Sequence, residues 1–193
     1  MDAIIHVYTF KEGLLSKLAH DLRFTLQRFN ISARGAEVFA RFELSSLRVD
    51  GVIKGGKLER GELDQGDRDK ITETMKDVVC AREHGEVRLV ARVINREPPF
   101  LIEGQLALHG ETRPVQLRLE REDDRLLGSV TIVPSQWGIR PYRALGGTLK
   151  LQDRVRITID ASAEWLESGE LNPSIELTWL ARSSRSSLRP SAH

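Results

Sequence analysis

The sequence predicts a mainly all-β fold of about eight antiparallel strands, with one short N-terminal helical turn and one flanking α-helix. Three observations support this. Apolar and polar side chains alternate with a period of two through most of the chain, which is the repeat of a half-buried strand. Short runs rich in Gly, Pro or charge separate these segments, as expected for turns between antiparallel neighbours. One longer segment carries helical spacing instead.

The stretch from Phe100 to Leu119 shows the alternation most clearly. Apolar residues or Gly occupy every second position of its first half, and the alternation resumes at Val115. The break between them, residues 109–114, contains Gly110 and Pro114. It predicts a turn or corner, because Gly allows positive φ and Pro removes a donor from the strand ladder.

The segments before this stretch predict several strands and the helical turn. Residues 3–10 are β-branched and aromatic, as in a strand, and residues 14–19 fit one or two turns of helix. Alternation then begins at Asp21, crosses a hairpin turn at Arg34–Gly35, and ends in a short strand at 47–54.

The single longer helix is predicted at residues 67–79, after a solvated loop rich in Gly and charge at 55–69. Asp64 or Asp67 is suited to cap it, since a carboxylate accepts hydrogen bonds from free N–H groups of the first turn. One apolar stripe at helical spacing predicts a lid or flank packed on the sheet; it consists of Ile71, Met75, Val78 and Val79.

The last third of the chain predicts further strands. A polar turn is expected at 122–125, an interruption at 135–141 and another turn at Gln152–Asp153. Residues 155–161 form the cleanest alternating strand of the sequence.

Regular alternation ends at Trp165, which predicts two parts. Residues 1–165 form the folded domain, and residues 166–193 form a tail that is largely disordered or docks elsewhere. Within the tail, Ile175–Leu180 suits a docking segment or an added strand, and both interpretations stay open.

Composition excludes several classes of function. Net charge is +1, so nothing draws the chain to nucleic acid, and Cys80 is the single cysteine, so no intrachain disulfide can form. No apolar run approaches the roughly 18 residues of a membrane span, and no secretory signal is evident. We therefore expect a cytoplasmic protein without stable membrane insertion.

The histidines and Cys80 show no metal-ligand spacing, and no phosphate or dinucleotide motif is present, so no metal or cofactor is predicted.

One apolar face per strand leaves two architectures, a sandwich or a closed barrel, and a barrel removes the exposed edges. A barrel of about eight strands either fills with side chains or holds one small ligand. The chain has 3 Trp, 2 Tyr and 6 Phe, and its apolar faces are mostly of medium size, which favours an open interior. The alternative, an interior filled by helix and loop side chains, stays open.

Three stretches of the sequence carry a pattern when taken together. The first runs from Ile102 to Val115 and contains, in order, Gly104, Leu106, Leu108, His109, Gly110, Thr112, the basic residue Arg113 and Val115. The second is Trp137-Gly138-Ile139, followed by a strand that ends in Ile157–Ala161. The third is the helix at 67–79, which lies between strands. In this order the three stretches resemble the YceI-like family of lipid-binding β-barrel proteins, and the likeness spans roughly residues 4–163.

The resemblance implies a lipocalin-like antiparallel barrel with a tubular apolar cavity for a polyisoprenoid or similar long amphiphile. Family members are often exported, whereas this sequence shows no signal, and the Leu-rich turn before His20–Asp21 is an insertion relative to plainer members. We expect fourteen residues to contact such a ligand: Phe24, Leu26, Phe42, Leu89, Ile102, Leu106, Val115, Leu117, Ile132, Trp137, Ile157, Ile159, His20 and His109.

Each polar candidate has a structural alternative. His20, with Asp21, suits a hydrogen-bonding or acid–base group at the barrel mouth, or a turn histidine satisfied by backbone. His109 has the same two interpretations, and Trp137 either stacks on a ligand or belongs to the core. Three functions follow: a lipid- or isoprenoid-binding protein, which we favour; an enzyme using His20 and Asp21; or an interaction protein with a filled barrel and a docking tail. A homodimer is compatible with each.

Overall fold

The structure, a computed structural model, describes residues 3–12, 20–80, 85–144, 146 and 149–164. Within these residues, twelve strands form antiparallel pairs, and one α-helix, α1 at Gln65–Val79, flanks the sheet. The predicted helical turn at 14–19 and the tail at 166–193 lie outside the described residues. The strands are β1 Ala3–Lys11, β2 Asp21–Leu26, β3 Phe29–Arg34, β4 Glu37–Glu43, β5 Leu47–Lys54, β6 Lys57–Glu59, β7 Glu86–Asn95, β8 Phe100–Leu108, β9 Glu111–Glu122, β10 Arg125–Ile132, β11 Arg143–Ala144 and β12 Leu149–Ser162.

A bent hairpin joins the two ends of the curled sheet. One arm is β2 followed by β3, the other is β4 followed by β5, and the arms pair on both sides of the bend. At the bend, the Glu43 N–H donates to the Arg28 carbonyl (3.0 Å) and the Arg28 N–H donates to Ser46 Oγ (2.9 Å).

The pairings of this hairpin give a lipocalin-like barrel. The first arm pairs with β1 through β2, and the second pairs with β7 through β4. From β7 the order continues through β8, β9, β10 and β12 back to β1. Eight strands thus form the circuit when each arm counts once, so the predicted all-β barrel with a flanking helix is confirmed.

The helix covers a gap in the wall. Beyond the bend, β5 pairs with β2 and β6 and diverges from β7 within the described residues. Asp64 caps α1 by accepting from the Asp67 N–H at 2.8 Å, and the Arg68 guanidinium ties the first turns to the Asp50 carbonyl of β5 at 2.6 Å. The prediction of a loop at 55–69 is wrong in part, because residues 57–59 form the short edge strand β6. Among the described residues, no helix has the length and apolar character to cross a membrane.

A second gap in the barrel wall explains why the turn predicted at 109–114 is present but shorter than expected. The turn is only His109–Gly110, and β9 begins at Glu111 and runs through Pro114. Residues 111–117 pair with β8 alone among the described strands, since β10 joins β9 only from Arg118 onward. Such an edge tolerates proline because a ladder donor is not required on its free side.

The turn predicted at Gln152–Asp153 is also wrong, because β12 continues through both residues. Thr9 pairs with Val155 but Lys11 pairs with Leu151, so β12 carries extra residues opposite β1 at this point. A β-bulge absorbs them and bends the strand without ending it. Polar residues that signal a turn in sequence are compatible with this geometry.

One end of the barrel is packed solid. We call this group the end cluster, and its side chains come from β4, β7, β8, β9, β10 and the residue that follows β12: Val38, Ala91, Val93, Phe100, Ile102, Leu119, Leu126 and Ala163. Two inward glycines allow this density, since a Cβ on Gly128 would lie 2.4 Å from Leu119 Cδ2. A Cβ on Gly104 would lie 2.4 Å from both the Ala91 Cβ and the Val90 carbonyl oxygen.

We expect Gly104→Ala to lower the free energy of unfolding by about 1–3 kcal/mol, because overpacking against backbone forces strands apart. Gly61→Ala is the matched control, since a Cβ there meets no atom within 4 Å. Urea denaturation of both variants tests this. Equal midpoints for the two variants would show that the β7–β8 contact relaxes without cost.

Candidate ligand-binding cavity

The half of the barrel beyond the end cluster encloses a cavity of about 460 Å³. Inward residues of β1, β2, β7, β8, β9, β10 and β12 form most of its wall, and α1 forms the side where β5 diverges from β7. The lining is predominantly aliphatic because each strand turns its apolar face inward. A cavity of this size and character is typical of small-molecule sites.

The cavity ends blindly at Leu89 and Leu117. Both side chains line the cavity, and both also pack against the end cluster. Leu117 reaches toward β10, where its Cδ1 lies 3.4 Å from the position of a Cβ on Gly128. These two leucines therefore form the floor between the hollow half and the packed half.

The opposite end carries most of the polar lining. It lies where β1 ends and β12 begins, and hydrogen bonds join these segments, including Gln152 Nε2 to the Lys11 carbonyl at 2.8 Å. We call the polar residues here the rim: Thr9, His20, Arg140, Tyr142, Gln152 and Asp153. The Thr9 hydroxyl is buried and has no hydrogen-bond partner among the described residues.

The charges around the cavity are unequal. Lys70 of α1 and Arg140 of the rim have no ion-pair partner within the part of the chain that the structure describes. Among the described residues, Asp153 is the one carboxylate of the lining, and it accepts a hydrogen bond from the Ser135 N–H at 3.0 Å. The described lining therefore carries two cationic side chains and one carboxylate.

Most residues expected to contact a ligand meet in this cavity. The side chains that line it are Phe24, Leu26, Phe42, Leu89, Leu106, Val115, Leu117, Ile132, Ile157, Ile159 and His20. Ile102, Trp137 and His109 lie elsewhere. Contact with a ligand stays a prediction for all fourteen residues. The three residues outside the lining have structural roles that explain their positions.

Ile102 faces inward as its period predicts, but it belongs to the packed end cluster and is 3 % exposed. Trp137 is buried in the wall, where the turn Pro134–Trp137 packs beside the free edge of β9, and its Nε1 donates to the Leu106 carbonyl at 3.2 Å. His109 is at positive φ in the β8–β9 turn, and its Nδ1 donates to the Trp137 carbonyl at 3.0 Å. That bond matches the structural alternative for His109.

His20 and Asp21 do not act as a pair in this geometry. His20 lines the cavity, whereas Asp21 Oδ1 accepts a hydrogen bond from the Lys11 N–H at 2.8 Å, across the β1–β2 neighbourhood. No hydrogen bond between the two side chains occurs among the described residues. Asp21 thus tethers the strand ends and leaves His20 as the imidazole at the rim.

Sequence reasoning missed a large share of the wall. The omitted residues come from β1, β12 and the helical stripe, and include Ile5, Val7, Ile71, Met75, Val78 and Val155. The signal was present in the strand period of residues 3–10 and in the helical stripe. A flanking helix forms cavity wall only where the sheet is open, and the sequence does not reveal the gap between β5 and β7.

In the described part of the chain, three titratable groups with shifted pKa values lie outside the lining of the cavity. Burial, with Arg23 nearby, lowers the pKa of His6, and a hydrogen bond from Lys54 lowers the pKa of Glu62. Burial raises the pKa of the Cys80 thiol, so this cysteine is less reactive than a free one. No cluster of three or more His, Cys, Asp or Glu suited to a metal ion occurs in the described ranges.

No curated protein sequence matches the chain. Two solved structures and one family model, in contrast, agree with the barrel described above. Among solved structures, BcnA from Burkholderia cenocepacia is similar in fold, with 12% identity and a TM-score of 0.53 over 82% of this chain and 94% of BcnA. A mutant CJ YCEI protein with a monobromobimane guest is 11% identical, with a TM-score of 0.50 over 80% of this chain and 88% of its own. The family model of the YceI-like domain matches residues 16–163, and the chain therefore belongs to the YceI-like family.

Proposed function

We propose that this protein binds an amphiphile, sequestering or carrying its apolar chain inside the barrel while the polar head stays at the rim. The observation that carries the proposal is the aliphatic cavity of about 460 Å³, bounded by Leu89 and Leu117 at one end and by the polar rim at the other. Membership of the YceI-like family supports a lipid of the isoprenoid or a related class.

Apolar burial supplies the affinity in this proposal. Transfer of hydrocarbon from water is favourable by about 25 cal/mol per Å² of buried area, or about 0.8 kcal/mol for each methylene. The interior offers aliphatic contacts on all sides, from strands and from α1 alike. A flexible single chain is therefore a better match than a polar metabolite, which would leave its hydrogen-bonding groups unsatisfied.

The rim is suited to the head group. The Thr9 hydroxyl lacks a partner, and His20 offers an imidazole without a hydrogen bond to any described residue. Two cationic lining residues, Lys70 and Arg140, against one described carboxylate, Asp153, favour a neutral or anionic head over a cationic one.

A plug in the cavity tests the proposal directly. We expect Val130→Trp to weaken binding of cis-parinaric acid at least tenfold, because the indole occupies space that the chain needs; Val130 lines the cavity. The matched control is Thr131→Trp, on the exposed outer face of the same strand, with affinity unchanged. Native mass spectrometry of the purified protein shows whether a co-purified ligand is lost in the first variant only. Equal affinity in both variants contradicts the proposal.

Substitutions of the two candidate histidines should affect different properties of the protein, ligand affinity for His20 and stability for His109. We expect His20→Ala to weaken cis-parinaric acid binding about fivefold, the effect of one hydrogen bond, with unfolding unchanged. His109→Ala should instead lower the free energy of unfolding by about 1 kcal/mol, since the bond to Trp137 is lost, and leave affinity intact. Fluorescence titration and urea denaturation measure both quantities. The reverse pattern would move the head-group site to His109.

A further inference from the structure

We infer that the cavity limits the length of the apolar chain that it accepts, and that Leu89 and Leu117 set this limit. The inference rests on the proposed function and deepens it. An apolar cavity of about 150 Å³ holds benzene, which has six non-hydrogen atoms, so a volume of about 460 Å³ corresponds to roughly eighteen such atoms. A farnesyl group or a hexadecanoyl chain has about this size, whereas longer polyisoprenoids exceed it.

The floor is built from the side chains of two wall strands. Leu117 extends from β9 toward the inward Gly128 of β10, which has no side chain to displace it. Leu89 enters from β7, and both leucines contact the cavity on one side and the end cluster on the other.

Beyond this floor, the interior has no room for a chain. Phe100, Leu119 and Leu126 fill it and are at most 7 % exposed. Protein interiors at this packing admit extra atoms only with displacement of side chains, which costs stability. A chain that enters from the rim therefore stops at Leu89 and Leu117, and its remaining carbons stay at the rim in contact with water.

This geometry predicts a break in affinity against chain length. Each methylene that enters the cavity raises affinity about fourfold, equivalent to about 0.8 kcal/mol. Methylenes beyond the capacity of the cavity stay at the entrance and add little. The affinity of saturated fatty acids should therefore rise from decanoic acid to about hexadecanoic acid and then level off through docosanoic acid.

The affinity of each saturated fatty acid, from decanoic to docosanoic acid, is measured by displacement of cis-parinaric acid. Each acid is kept below its critical micelle concentration. Leu117→Ala removes three carbons from the floor, so we expect the break to move to chains up to three carbons longer. Leu117→Phe raises the floor and should move it to shorter chains. The matched control is Leu101→Ala on β8, whose side chain points outward between the buried Phe100 and Ile102, and which should leave the break in place.

The outcomes separate the two proposals. A break in the parent protein that shifts in opposite directions in the two Leu117 variants supports the inference. Binding that strengthens steadily through docosanoic acid, or a break that neither variant moves, overturns the inference and leaves the proposed function standing. Failure of the parent protein to bind an acid of any length overturns both. If Leu117→Ala proves too unstable to titrate, the Leu117→Phe variant decides the matter alone.

Discussion

The barrel depends on one buried serine at the bend of the long hairpin. Ser46 is fully buried, and its hydroxyl accepts from the Arg28 N–H at 2.9 Å while donating to the Glu43 carbonyl at 2.7 Å. A buried hydroxyl with both bonds made is stabilising, and the same group without them is costly. This geometry lets each arm change neighbours at the bend, so the hairpin pairs with β1 at one end of the sheet and with β7 at the other.

The other features of the site follow from that bend. Because β5 leaves the circuit, the wall opens there and α1 supplies its own apolar stripe as the replacement. The hollow half of the barrel lies beside this helix, and the packed half lies at the hairpin tip, where Val38 joins the end cluster. A hollow and a filled interior, which the composition left as alternatives, are thus both present, one in each half.

Alternation of side chains was sufficient to predict most of the strands, their inward faces and the helix, because period two and period 3.6 are local properties. Local signals failed where tertiary context decides the conformation. Pro114 lies within a strand because that edge is unpaired, and Gln152–Asp153 enters a bulge because β1 keeps pairing on both sides. In the same way, period two assigns Ile102 to the inward face but cannot give its depth along the barrel, and depth decides whether a residue meets the cavity or the end cluster. The cytoplasmic location, the homodimer and the tail stay predictions from the sequence.

The wall of the cavity consists of hydrogen-bonded strands and of one helix, and the two differ in stiffness. Around most of the circumference, ladders of backbone hydrogen bonds hold neighbouring strands at a set spacing. The helix is anchored at its first turns by the Arg68 guanidinium, whereas Met75 and Val78 further along face the cavity through apolar contacts. Non-directional contacts yield to small shifts more readily than ladders do. Under the proposed function, we therefore expect a ligand of larger girth to displace the second half of α1 and to leave the register of the strands unchanged.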